Sequence, residues 1–150
     1  MTQEDKELLL KDLCARLPYG VKCYGHCFKI DGNHCECYGT LDSIKLGVWY
    51  PFHLSNRISI NNGATYEETF SEVKPYLFPL SSMTEKQNDS WRDAWFPDLM
   101  TSTDINYPES EKYLVLSHAK SLQWLYENHF DVNGLIEKGL AIDATGLNIY

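Results

Sequence analysis

The fifteen residues Cys23–Cys37, CYGHCFKIDGNHCEC, hold four of the five cysteines and two of the five histidines of a 150-residue chain. Asp31-Gly32 at their centre is a strong short-range hairpin signal, and flanking strands would make the first half of the chain an antiparallel sheet. Read as a ligand cluster, the same residues are a zinc site, because zinc takes thiolate and imidazole donors in tetrahedral sets and Cys23, Cys27, Cys35 and Cys37 could supply four sulfurs. The spacing C-x3-C-x7-C-x-C lacks the paired C-x2-C knuckles of the usual zinc ribbons and fingers. Register separates the two readings, since side chains alternate faces along a strand. A two-residue turn at Asp31-Gly32, which this dipeptide favours, sets Cys23 and Cys27 on one face and Cys35 and Cys37 on the other. A three-residue loop through Asn33 sets all four on one face. The expectation is a hairpin with small buried thiols and no cofactor, zinc being the alternative.

Upstream, Thr2 with Glu4 and Asp5 reads as a helix cap, and Leu8, Leu9, Leu13 and Leu17 recur at helical spacing until Pro18 and Gly20 stop the run. Downstream, aromatic and alternating texture with turn signals at Asn56 and Asn62-Gly63 places strands near 21–30, 34–42, 45–52 and 57–61. Residues 65–73 fit either a helix, by Tyr66, Phe70 and Val73, or a strand, by the preceding Asn62-Gly63. Pro75 restricts the extended segment 73–78 to an edge or a bulge. Helices are expected at 84–96, announced by Ser82–Glu85 and ended by Pro97, and at 109–129. In the longer one Val115, His118, Leu122, Leu125 and His129 recur at heptad-like spacing. A short helix 132–138 would be capped by Asp131 and stopped by Gly139.

The chain is long enough to bury a core without disulfide or metal support. An odd number of cysteines suits a reducing compartment, and the acidic start MTQED with its short leucine run is no secretory signal, so a cytoplasmic protein without a membrane span is expected. The net charge of -8 divides unevenly: residues 1–80 hold ten acidic and eight basic side chains, residues 81–150 eleven and five. An acidic surface repels phosphate backbones, which argues against direct nucleic-acid binding.

No nucleophile elbow, phosphate loop or dinucleotide fingerprint occurs. Asp42 with Glu72 and Lys74 resembles a nuclease-type D…ExK triplet, and Cys14 is a further thiol, but neither comes with a convergent partner set, so a small hydrolase is a second alternative only. His118 and His129 lie roughly 16 Å apart on one helix, too far to share a metal. Their structural roles are a packed residue at 118 and a charged helix C-terminal one at 129. Trp91, Trp95 and Trp124 could face a partner, since Trp is favoured at interface hot spots, or could bury the helices against the sheet.

Three stretches, LLLKDLCARLPYGVK (8–22), VKPYLFPLSSMTE (73–85) and HFDVNGLIEKGLAIDA (129–144), resemble uncharacterised small proteins encoded by gut-dwelling anaerobic bacteria, their phages and mobile elements. The resemblance implies a small cytoplasmic protein borne by such elements and carries no catalytic residue to transfer. The expectation is one α+β domain over residues 1–150, strand-rich to residue 80 and helical from 81 on. It has an N-terminal helix, a four- to five-stranded antiparallel sheet curled as a small SH3-like barrel, and C-terminal helices packed on it. Its expected role is a non-catalytic module that binds another protein.

Overall fold

The computed structural model describes residues 1–28, 34–50, 53–61, 65–69, 73–95 and 107–150. Within these, the side chains of Cys27, Cys35, Cys37 and Trp95 and of several neighbours lie outside the described residues. The fold is α+β, with an N-terminal helix, a mixed sheet and two later helices.

Helix α1 (Gln3–Arg16) begins on a capping box: the Thr2 hydroxyl accepts the Asp5 N–H at 3.1 Å, and the Asp5 carboxylate accepts the Thr2 N–H at 3.0 Å. Its buried face is Leu9, Asp12, Leu13 and Arg16. A 3-10 turn over 17–19 and Gly20 at φ 64° then release the chain, as Pro18 and Gly20 predict.

Six strands follow: β1 (Lys22–Phe28), β2 (His34–Tyr50), β3 (His53–Asn61), β4 (Thr65–Thr69), β5 (Lys74–Leu77) and β6 (Ile142–Asp143). They form one sheet in the order β4-β3-β2-β1-β5-β6. The order leaves the hydrogen-bonded ladder open at β4 and β6, and β5 with β6 is a parallel pair, so the sheet is larger and more mixed than the expected antiparallel one. Strand β2 runs unbroken where two strands were expected; register shifts between Leu41 and Ser43 and between Lys45 and Val48 bend it instead. Residues 65–69 are a strand, paired with β3 from Asn61↔Thr65 to Arg57↔Thr69, while 70–72 lie outside the described residues. Pro75 is accommodated because β6 pairs only with Tyr76 and Leu77, leaving Pro75 with β1 as its sole ladder neighbour.

One face of the sheet is closed by α1 and the segment 131–141. Leu9 and Leu13 from the helix, Val21 and Cys23, Leu41, Ile58 and Ile60, Val73 and Leu77, and Leu135 and Leu140 form a continuous buried cluster. Helices α2 (Glu85–Trp95) and α3 (Tyr107–Glu127) pack on each other. The cap of α2 is Thr84, whose hydroxyl and N–H exchange hydrogen bonds with Gln87. No described helix is long and apolar enough to cross a membrane.

The segment after α3 departs from expectation. The Asp131 carboxylate accepts the N–H groups of Leu135 and Ile136 at 2.9 Å, four and five residues on, and residues 135–139 form a hydrogen-bonded turn, so the expected capped helix over 132–138 is not formed. Gly134 at φ 67° holds left-handed backbone inside the expected span 132–138, which an α-helix cannot contain. Two buried ionic side chains fasten this segment to α1. Arg16 Nε donates to Asp12 Oδ2 at 2.6 Å, Arg16 Nη2 donates to Phe130 O at 2.6 Å, and Asn133 Nδ2 donates to Asp12 Oδ1 at 2.8 Å. The guanidinium also lies 4.8 Å above the Tyr126 ring.

His129 was expected as a charged residue suiting a helix C-terminus, and it is not one. It sits past α3 at φ 60°, stacks on the Tyr150 ring at 4.0 Å, and its buried Nδ1 has no hydrogen-bond partner among the described residues. Burial, with the nearby charges of Arg16 and Lys22, pushes its pKa down to about 4, so the ring is neutral at pH 7. The unfolded chain takes up this proton near pH 6.5 and the folded one only near pH 4, so the folded state loses stability as pH falls through that window. His129→Asn, which tolerates the positive φ, is expected to flatten the urea midpoint between pH 6.5 and 4 relative to the parent chain; an unchanged slope would refute the assignment.

Candidate functional site

The sheet register answers the question raised by the cysteines. Strands β1 and β2 pair as Cys27↔Cys35, Gly25↔Cys37 and Cys23↔Gly39, which places positions 23, 27, 35 and 37 on one face and rules out the Asp31-Gly32 two-residue register. That face is the core face at Cys23, which is fully buried beside Leu9, Leu13 and Val21. Burial raises the Cys23 thiol far above its ordinary range. The side chains of Cys27, Cys35 and Cys37 lie outside the described residues.

Among the described residues no three His, Cys, Asp or Glu side chains gather as a metal cluster. Asp42 is exposed on β2, Lys74 is half-buried on β5, and Glu72 lies outside the described residues. Cys14 and His118 are exposed on α1 and α3. The tryptophans are engaged internally where they are described. Trp91 is half-buried and its indole N–H donates to Ser121 Oγ at 2.8 Å, joining α2 to α3. Trp124 stacks on Phe130 with centroids 5.9 Å apart and planes 14° off parallel.

The surface that these packings leave open is on α3. Ser117, Ser121 and Leu125, four residues apart, are its buried stripe. Small serines let α2 approach closely, and the Trp91 indole needs the Ser121 hydroxyl as an acceptor. Turning those positions inward turns Val115, Ala119 and Leu122 outward, at i, i+4 and i+7. Val115 is 69% exposed and Leu122 44%, with Leu116 beside them also in water. The apolar stripe that the sequence assigns to the interior is thus largely on the surface.

A concave site lies on the sheet face opposite α1. Even-numbered positions of β1 and β2 put Lys22 beside Thr40 and Tyr24 beside Tyr38, and the Lys22 ammonium donates to Thr40 Oγ1 at 2.7 Å. At the Lys22 end a cavity of about 470 Å³ opens between Tyr38, Asn61 and Tyr76, walled by Asn148 and Ile149. Tyr150 fixes that wall: its hydroxyl accepts the Lys22 N–H at 3.0 Å and donates to Tyr76 O at 2.8 Å. Nothing in residues 144–150 has the periodicity that sequence reading relies on, so this wall had no signal beyond its aromatic terminus.

Compared with known proteins, the chain matches no family model, no curated protein and no solved structure.

Proposed function

We propose that this chain is a non-catalytic, cytoplasmic module that binds another protein through the outward face of α3. The observation that carries the reading is the row Val115, Ala119 and Leu122, apolar at helical spacing yet in water, with the inward face already filled. The acidic second half, net -6 from eleven acidic and five basic residues, selects a partner whose apolar groove is flanked by lysine or arginine. The resemblance to proteins of phages and mobile elements supports a partner in the bacterial host. An SH3-like curl of the sheet belongs to the same proposal, supported by the close approach of β1 to β4 although they are not ladder neighbours.

A Val115→Asp, Leu122→Asp double variant tests the face. Both positions are exposed, so its unfolding free energy should stay within about 1 kcal/mol of the parent. Immobilised parent protein is expected to retain at least one host protein at low salt and lose it at high salt, while the variant retains none. Identical capture by the two proteins, or no specific capture by the parent, would overturn the proposal. So would a dimer in light scattering that only the variant lacks, because the face would then serve self-association.

A further inference from the structure

We propose that the cavity between Tyr38 and Tyr76 binds a small molecule consisting of a ring that carries an anionic group. A volume of about 470 Å³ falls in the range of roughly 300–1,000 Å³ typical of small-ligand sites. Among the described residues that line it, the only formal charge is the Lys22 ammonium, in a chain of net charge -8. That amine is held by Thr40 at the 2.7 Å contact, so it is positioned before any ligand arrives. Tyr38, 69% exposed, offers a ring face for stacking, and the carboxamides of Asn61 and Asn148 supply donors and acceptors around it.

The floor of the cavity demands its residue. A Cβ on Gly39 would stand 2.5 Å from Asn61 O and 2.8 Å from Asn61 C, so only glycine lets β3 close against β2 at this point. The opposite wall is equally fixed, since the Tyr150 hydroxyl bonds to main-chain atoms of both Lys22 and Tyr76. Walls tied to the backbone lower the ordering cost of binding. The ligand chemistry, an aromatic or pyranose ring with a phosphate or carboxylate, could come from a nucleotide or from a sugar, and the test separates these sources.

Calorimetric titration of the full chain with uridine 5′-monophosphate, glucose 6-phosphate and glucuronate, with uridine, glucose and inorganic phosphate as controls, decides the matter. At least one anionic ring is expected to bind with a Kd below about 1 mM, and its neutral ring and free phosphate more weakly. Lys22→Met, which keeps the aliphatic stem, should weaken that ligand by about tenfold, and Tyr38→Ala by a similar factor from lost stacking. Preference for the nucleotide assigns a base-stacking site, and preference for either sugar acid assigns a pyranose site. The inference is overturned if none of the three binds below about 1 mM, or if both substitutions leave the affinity unchanged. The site shares no residue with α3, so its failure and that of the partner-binding face are told apart by their own variants.

Discussion

Replacing Asp12 with alanine is expected to destabilise the fold by about 3–5 kcal/mol, measured by urea unfolding, because it strands a buried guanidinium. Asp12 and Arg16 are both fully buried, so water cannot take over the lost contact. Arg16 would keep the Phe130 carbonyl and the Tyr126 ring, and Asn133 would lose its carboxylate acceptor. Arg16 Nη1 already has no hydrogen-bond partner among the described residues, which leaves the group no reserve. The paired substitution Asp12→Leu with Arg16→Met removes both charges and should cost clearly less than Asp12→Ala alone. A loss below about 1 kcal/mol for Asp12→Ala would mean that the pair is solvated in solution.

Phe130→Ala is expected to cost about 3–5 kcal/mol, through lost burial and the void left behind. Phe130 is 1% exposed, stacks on Trp124 and tilts against Phe78 with centroids 6.1 Å apart. Its backbone is equally committed: the N–H closes the end of α3 on Leu125 O, and the carbonyl receives Arg16. Because the two substitutions touch the same junction, Asp12→Ala with Phe130→Ala should lose less than the sum of the singles, by more than about 0.5 kcal/mol. Strict additivity would show that the arginine and the aromatic stack act independently. Near-ultraviolet circular dichroism of Trp124 gives a second readout, since Phe130→Ala removes its stacking partner.

Local signals were read well wherever one turn of chain contained the whole cause. The Thr2 cap and the stop at Pro18 and Gly20 depend on neighbours within five residues. Misreadings arose where the deciding partner is distant. The buried pair Asp12 and Arg16 was not singled out from the sequence, and its further hydrogen bonds go to Phe130 and Asn133, more than a hundred positions away. On α3 periodicity alone assigns Val115 and Leu122 to the core, whereas Trp91 on another helix turns Ser121 inward. The register that β1 and β2 adopt is not the one a two-residue turn at Asp31-Gly32 would set. Of the candidate binding cavity, sequence showed nothing, because Lys22, Tyr38, Tyr76 and Asn148 meet only across strands and the closing segment.

The bonds from Arg16 to residue 130 and from Asn133 to Asp12 also bear on the order in which the chain can mature. Synthesis runs from the N-terminus, so the charges of α1 are made first while the atoms that shelter them come 114 and 121 residues later. Until then the helix has every reason to keep that face in water, where an unmatched guanidinium is well hydrated. The sheet likewise lacks its β6 edge until residues 142–143 have emerged. A nascent chain therefore carries the leucines beside Asp12 and Arg16 without these partners until residues 130–133 have emerged, and α1 reaches its final contacts only after them.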